Sequence, residues 1–272
     1  MGGGVAGGDR AGRAMKLLAA ALVLLVAGAA AGRYWERSRA RPPEPPKPPD
    51  RRQIVEAFQK IYYDAATYTW SNTHWLGARV LKNPLDLWVL QEIVHETRPD
   101  VVIEAGTYHG GAALYFAHLF DLLGRGRVIT IDIKDYPERA RHRRIEFLLG
   151  SSTDLAIVAR VRSRISRKAK VMVTLDSDHR KVHVSEELRL YSPLVTKGQY
   201  LVVEDTNING HPVMPGFGPG PMEAVEEFLR EHPEFASDHM REKHILTHNP
   251  RGYLQRGVRH RSGDQAARRA SQ

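Results

Sequence analysis

Three carboxylates fall at the ends of two apolar runs. "VMVTLDSDH" (171–179) carries Asp176 near its end, and "YLVVED" (200–205) closes on Glu204 and Asp205. Both runs have the aliphatic, β-branched character of strands buried on two faces. If these strands are neighbours, the three acids converge on one edge of a sheet. Carboxylates brought together repel, and a hard divalent cation held by oxygen ligands, magnesium above all, relieves that repulsion. The ordinary alternative is a set of acids capping the helices that follow. Two adjacent acids ending one apolar strand are harder to explain that way.

A second cluster sits at the end of an earlier apolar run, "VVIEAGTYHGG" (101–111), with Glu104, Gly106, Gly110 and Gly111. Strand, glycine turn and helix start form a site for a nucleotide-like ligand, because glycine lets the ligand approach the backbone. The spacing is E-x-G-x-x-x-G rather than G-x-G-x-x-G. An acid inside the motif disfavours a dinucleotide pyrophosphate and suits a ligand with a positive charge, such as the amino group of S-adenosylmethionine. Asp132 ends the next run, "RVITIDI", and is placed to accept hydrogen bonds from ribose hydroxyls; NAD and S-adenosylmethionine both satisfy it. A turn-capping Asp is the alternative there. After Asp205 the loop 206–221 holds four prolines and four glycines, so it is neither helix nor strand interior. Such a loop suits one wall of an acceptor pocket, since little ordering entropy is lost on binding. Asn207, Asn209 and His211 would give that wall polar edges, and each is equally a turn former.

Taken together, "VIEAGTYHGGAALYFA", "LDSDH" and "YLVVEDTNINGHPVMPGFGPGP" resemble the cephalosporin hydroxylase / rhamnosyl O-methyltransferase family, most closely its rhamnosyl O-methyltransferases, which methylate sugar hydroxyls of cell-envelope glycolipids. The resemblance runs from about Trp70 to Leu254. It implies a Rossmann-like class I methyltransferase fold, S-adenosylmethionine as donor, and a Mg2+ site. Its metal ligands fall on Asp176, Glu204 and Asp205. Its cofactor contacts fall on Glu104, Gly106 and Asp132, with Gly110 in the same turn and Ser151 and Ser152 near the adenine. In the related catechol O-methyltransferases a lysine takes the proton from the acceptor; His179, three residues beyond Asp176, is placed to do the same. The acceptor implied is a hydroxylated, glycosylated molecule. Rival readings are an oxidative, hydroxylase-type tailoring enzyme and a non-catalytic S-adenosylmethionine-binding module. An iron oxygenase needs two histidines and a carboxylate, and the H-x-E at His232 stands apart from the acids. A nicotinamide dehydrogenase has the wrong glycine spacing.

The elements that must position these groups alternate. Apolar runs at 101–106, 127–133, 145–150, 171–178 and 199–205 are separated by helical or charged stretches, and "KHILTHNP" and "GYLQRG" close the body as two more strand candidates. That pattern predicts a mostly parallel sheet covered by helices on both faces, with ligands beyond the carboxyl ends of the strands. Before it come two amphipathic helices, from Ile54 and over 85–99, an N-terminal helical segment of the domain.

The chain has 272 residues, no cysteine, and 40 Lys and Arg against 31 Asp and Glu. Disulfides and thiolate metal sites are excluded. The basic excess gathers near the start and in the tail, which suits a membrane surface better than a nucleic-acid groove. "LLAAALVLLVAGAAAG" (17–32) is apolar and flanked by basic residues. It reads as a membrane anchor with Tyr34 and Trp35 at the interface, or as a cleaved signal peptide, and "MK" at Met15 as an alternative start. "RPPEPPKPPD" (41–50) should form a polyproline spacer. The expected organisation is a basic start (1–16), anchor (17–35), linker (36–52), helical entry segment (53–99), methyltransferase domain (100–256) and basic disordered tail (257–272). Because the donor is cytosolic, the anchored reading puts the domain in the cytoplasm. Oligomeric state is open, a homo-oligomer included.

Overall fold

The computed structural model describes residues 8–39 and 49–257. The tail expected at 257–272 and most of the proline linker lie outside the described residues. The chain divides into two units, Met1–Pro49 and Asp50–Gln272.

Among the described residues the first unit contains one helix, α1 (Gly8–Arg39), in which Gly12–Trp35 is long and apolar enough to cross a membrane and is nowhere buried. Its 24 residues reach roughly 36 Å at about 1.5 Å each, enough for a ~30 Å hydrocarbon core. A signal sequence has the same length and composition.

The second unit opens with α2 (Arg51–Asp64). Asp50 caps it by accepting from Gln53 N while Gln53 Oε1 accepts from Asp50 N, a reciprocal capping box. A two-stranded hairpin follows, β1 (His74–Trp75) and β2 (Ala78–Arg79), turned at Leu76 and Gly77, both with positive φ. Helix α3 (Pro84–Thr97) has Asn83 as its cap and Pro84 in its first turn. The main sheet then builds from β3 (Val101–Ala105), β4 (Arg127–Asp132), β5 (Ile145–Leu149), β6 (Val171–Leu175) and β7 (Tyr200–Val203), all parallel. It is completed by β8 (Phe235–Ser237) and β9 (Tyr253–Arg256), which run antiparallel at one edge, giving the order β5-β4-β3-β6-β7-β9-β8. Helices α4 (Gly111–Leu122), α5 (Leu155–Ser163), α6 (Lys181–Tyr191) and α7 (Pro221–Glu231) complete the elements.

Alternate strand residues feed two cores. Val101, Ile103, Val171, Val173 and Leu201 face α5, α6 and α7, whereas Val102, Val128, Met172, Tyr200 and Val202 face α3 and α4. Helices on both faces satisfy the apolar strands, as the alternation predicted.

The charged stretch between β4 and β5 forms no helix, and His142, Arg143 and Arg144 all turn onto Asp121 at the end of α4. One expectation fails for a local reason. The strand expected over 243–250 is absent. There Asp86 of α3 captures the chain, accepting from Thr247 Oγ1 at 2.6 Å and from His248 N at 2.8 Å. The backbone donor that a strand would need is thereby used, and Phe235–Ser237 takes the place beside β9.

Candidate active site

Ladder hydrogen bonds continue past the strand ends, from Gly106 N to Ile131 O, Asp176 N to Ala105 O and Glu204 N to Leu175 O. They hold the carboxyl ends of four strands level. The turns there are packed backbone to backbone. Gly106 has φ +96, and a Cβ on it would lie 2.0 Å from Asp176 O; a Cβ on Gly111 would lie 2.1 Å from Arg79 O. Only glycine permits either approach. The first presses the glycine turn onto the end of β6, and the second lays β2 across the start of α4.

Side-chain alternation then sorts the acids. Glu104 pairs in register with Thr130 on one side and Thr174 on the other, and all three lie on the α3/α4 face. Asp132, Asp176 and Glu204 continue the same parity at the ends of β4, β6 and β7. From that face enters Lys82, supplied by the segment between β2 and α3. It is 4% exposed, and its Nζ donates to Asp176 Oδ2 at 2.6 Å and to Glu204 Oε2 at 2.5 Å. Burial alone would lower Lys82, but the two acids more than offset it and hold the ammonium well above the usual lysine range. One cation against two acids leaves a surplus negative charge in a buried place, and burial accordingly pushes Asp176 and Glu204 up.

Asp176 also faces outward, where two further groups meet it. Asp176, His179 and Asp205 each offer a ligand atom, and these atoms all lie within 4.8 Å of one another. His179 Nε2 stands 3.4 Å from Asp205 Oδ2. Asp205 takes φ +53, and its N–H donates to Asn249 Oδ1, so its side chain leaves the strand direction of Glu204. Glu204 Oε1 is buried with no hydrogen-bond partner. A clustered acid set with one unsatisfied buried carboxylate oxygen fits a hard divalent cation. Sequence spacing placed Glu204 beside Asp205 as an equal ligand; the structure gives one of its oxygens to Lys82 and brings His179 into the cluster.

At the other end, Asp132 Oδ2 accepts from Thr107 N at 3.0 Å and Tyr108 N at 2.8 Å, while Oδ1 accepts from Lys134 N at 2.9 Å. These three bonds pin the glycine turn, and a carboxylate with about four acceptor sites retains one for a ligand. Gly110 opens α4 with φ +74. Ser151 and Ser152 line the same cleft, Ser152 Oγ lying 3.1 Å from His183 Nε2. Glu104, expected as a cofactor contact, is 1% exposed and lies under the turn, its Oε2 accepting from Thr130 Oγ1 at 2.6 Å. Burial pushes its carboxyl up to about 7, against the Thr130 bond and the field of Lys82.

That shift has a measurable consequence for stability. Between the ordinary value of 4.5 and about 7 the folded chain holds a proton on Glu104 that the unfolded chain has released. Stability therefore falls as pH rises through that window, by about 3 kcal/mol over its full width. Glu104→Gln should flatten the fall. Urea midpoints at about pH 4.5 and about pH 7.5 measure it, and an unchanged slope in the variant would place the titration elsewhere.

Tyr63, Trp70, Gly106, Asp132, His179 and Asp205 are among the residues around one cleft of ≈ 870 Å³, which runs along the strand ends. The loop after β7 does form one wall, through Ile208, Met214 and Phe217. Its polar residues, expected on that wall, are engaged elsewhere. Asn209 Nδ2 donates to Glu223 Oε1 at 2.9 Å, and His211 Nε2 lies 2.9 Å from the same oxygen. Asn207 is 2% exposed, with its backbone bonded to His248 and Val213. These three hold the loop to α7 and the core, and the wall itself is apolar. Sequence reasoning missed Lys82 and also His248, whose ring is ringed by Tyr62, Tyr63 and Trp70 and stands 3.8 Å from Asp205 Oδ1.

Known proteins agree with this architecture. The family described as rhamnosyl O-methyltransferase/CmcI matches residues 67–257. A rhamnosyl O-methyltransferase of Mycobacterium tuberculosis is 40% identical over 240 residues, covering 86% of this chain and 92% of that protein. One from Mycobacterium leprae is 42% identical over 208 residues, covering 74% and 90%. Among solved structures, CmcI in its apo form superposes with a TM-score of 0.55 at 21% identity, covering 80% of this chain and 87% of that one. A CmcI structure with Mg and SAM gives 0.54 at 21%, covering 80% and 88%. The parallel sheet and its antiparallel edge give the class I methyltransferase fold, and the family match with its O-methyltransferase relatives makes the chain an S-adenosylmethionine-dependent O-methyltransferase. Within that class, the chain belongs to the rhamnosyl O-methyltransferase/CmcI family.

Proposed function

We propose that this chain methylates a hydroxyl of a sugar carried on a glycolipid or another glycosylated metabolite, with S-adenosylmethionine as donor and Mg2+ as the working ion. The observation that carries the reading is the single cleft with Asp132 and the glycine turn at one end and Asp176, His179 and Asp205 at the other. Its ≈ 870 Å³ lies in the range of sites that take a cofactor-sized ligand, ~300–1,000 Å³. The mycobacterial relatives are named for rhamnosyl O-methylation, which supports a sugar hydroxyl as acceptor.

Asp176 and Asp205 would hold the ion, with the free Oε1 of Glu204 next to them. When bound, the ion supplies positive charge that lowers the cost of deprotonating a hydroxyl, and the donor supplies an electrophilic methyl group. The chain does the rest. The glycine turn and Asp132 orient the donor's ribose end. His179 accepts the acceptor proton on its imidazole. Ile208, Met214 and Phe217 exclude water from the line of transfer. Helix α1 supports anchorage at a membrane, and the basic residues Arg33, Arg37 and Arg39 after its apolar stretch favour a cytoplasmic domain, where the donor is available.

Methyl transfer from labelled S-adenosylmethionine to a rhamnose-terminated glycolipid tests the reading. Turnover should vanish with chelator and return with magnesium, and Asp205→Asn should abolish it while leaving donor binding in place by calorimetry. Full turnover in excess chelator would leave the acids a structural role only.

A further inference from the structure

Helix α2 carries its apolar residues on the wrong side for a soluble domain. Its inner face, half-buried Val55 aside, is polar or aromatic and already engaged. Gln59 Nε2 donates to Ile245 O at 2.9 Å, Tyr63 stacks on Trp70, and Tyr62 meets His248 edge-on. Its outer face carries Ile54, Phe58 and Ile61, exposed by 55%, 53% and 66%. The spacing i, i+4, i+7 puts them in one stripe. A helix lying on a soluble core presents charge at these positions.

We propose that this stripe lies in the lipid–water interface and seats the cleft mouth against the membrane. Three observations favour lipid as its occupant. First, α2 is the first helix after α1, and residues 40–50 between them can span no more than about 40 Å at ~3.3–3.6 Å per residue. A chain anchored through α1 holds α2 on a short leash at the surface, where a weak interfacial contact is nearly intramolecular. Second, Arg51 and Arg52 open α2, and Arg33, Arg37, Arg39, Arg41 and Lys47 precede them, a basic flank that complements anionic headgroups. Third, the same helix borders the cleft through Tyr63. Tyr63 OH donates to Met214 Sδ at 3.2 Å, and Met214 and Phe217, which line the cleft, are themselves 43% and 38% exposed.

A second copy of the chain is a poorer occupant. Three half-exposed side chains offer on the order of 300–400 Å², well below the ~800 Å² per partner of a stable dimer. With lipid as the occupant, an amphiphilic sugar acceptor enters the cleft from the bilayer plane, its tail staying in lipid. This rests on the membrane-anchored, glycolipid reading above and adds to it the surface that docks.

Because the chain has no cysteine, single labels are clean. Full-length protein with Phe58→Cys or Leu122→Cys, each carrying an environment-sensitive fluorophore, is reconstituted into phosphatidylcholine–phosphatidylglycerol vesicles and floated. Leu122 is 85% exposed at the C-terminal end of α4, whose first turn is the end that borders the cleft. The label at 58 should shift to the blue and be quenched several-fold by brominated lipid, while the label at 122 responds only to aqueous iodide. Floating protein whose label at 58 responds like that at 122 overturns the docking surface and leaves the anchor standing. Protein that does not float overturns both. Shielding from iodide without lipid quenching, with disulfide pairing between positions 58 of two chains in the unlabelled variant, overturns it in favour of a second copy.

Discussion

Replacing Lys82 by Met should remove about 3–5 kcal/mol of folding free energy, the cost of leaving a buried charge without its partner. For a domain with a typical stability of ~5–15 kcal/mol this is about a fifth or more. The reason lies in the count of charges. Lys82 is the cation in contact with both Asp176 and Glu204, Lys82 and Glu204 sit behind the cleft floor that Asp176 lines, and burial already pushes both acids up. Methionine keeps most of the volume and none of the charge. Part of the loss should return in Lys82→Met with Glu204→Gln, because the second change removes the acid that the first one stranded. Urea unfolding of the four members of this cycle measures it. A loss below about 1 kcal/mol in the single variant would mean that the acids hold protons of their own and that the ammonium contributes little.

His179→Ala should lower kcat by roughly 10²–10⁴, the usual worth of a positioned general base. The side chain lies in the cleft within 3.4 Å of Asp205, on the segment that follows β6. Gly220, which ends the loop after β7, packs close to the His179 carbonyl, and Lys181 N donates to Pro219 O, so the loop and the histidine segment are joined. Donor affinity by calorimetry and the magnesium concentration for half-maximal rate should both stay near their wild-type values. If saturating magnesium instead restored the rate, His179 would be a ligand that completes the Asp176–Asp205 set and not the base.

The site's acids were legible because parallel strands obey a strict alternation. Apolar runs of four to six residues leave little choice of element, and each acid stood one step beyond such a run or at its end. Asp132, Asp176 and Glu204 therefore shared a face once their strands were adjacent. The glycine turn was legible for a related reason, since an approach of 2.0 Å between a Cβ position and a carbonyl oxygen admits no other residue. Reading failed where a polar side chain had several partners within reach. Asn209 and His211 looked like a pocket edge from their place in the loop, and Glu223 of α7 claimed both. Thr247 and His248 looked like strand, and Asp86 claimed them.

The sequence by itself determined the layered sheet, the order of motifs along it, the helix that can enter a membrane, and the convergence of carboxylates at the strand ends. These follow from periodicity and from neighbours a few residues apart. Tertiary structure alone decided which cation answers those carboxylates. Lys82 lies 94 residues from Asp176 and 122 from Glu204, in a segment with no period to announce it. It reaches them because a glycine at 111 lets β2 cross the start of α4. Burial then does what no local pattern records: it makes each unpaired charge costly, so the fold, and not the spacing of residues, assigns one Glu204 oxygen to the lysine and leaves Asp205 and His179 facing the cleft.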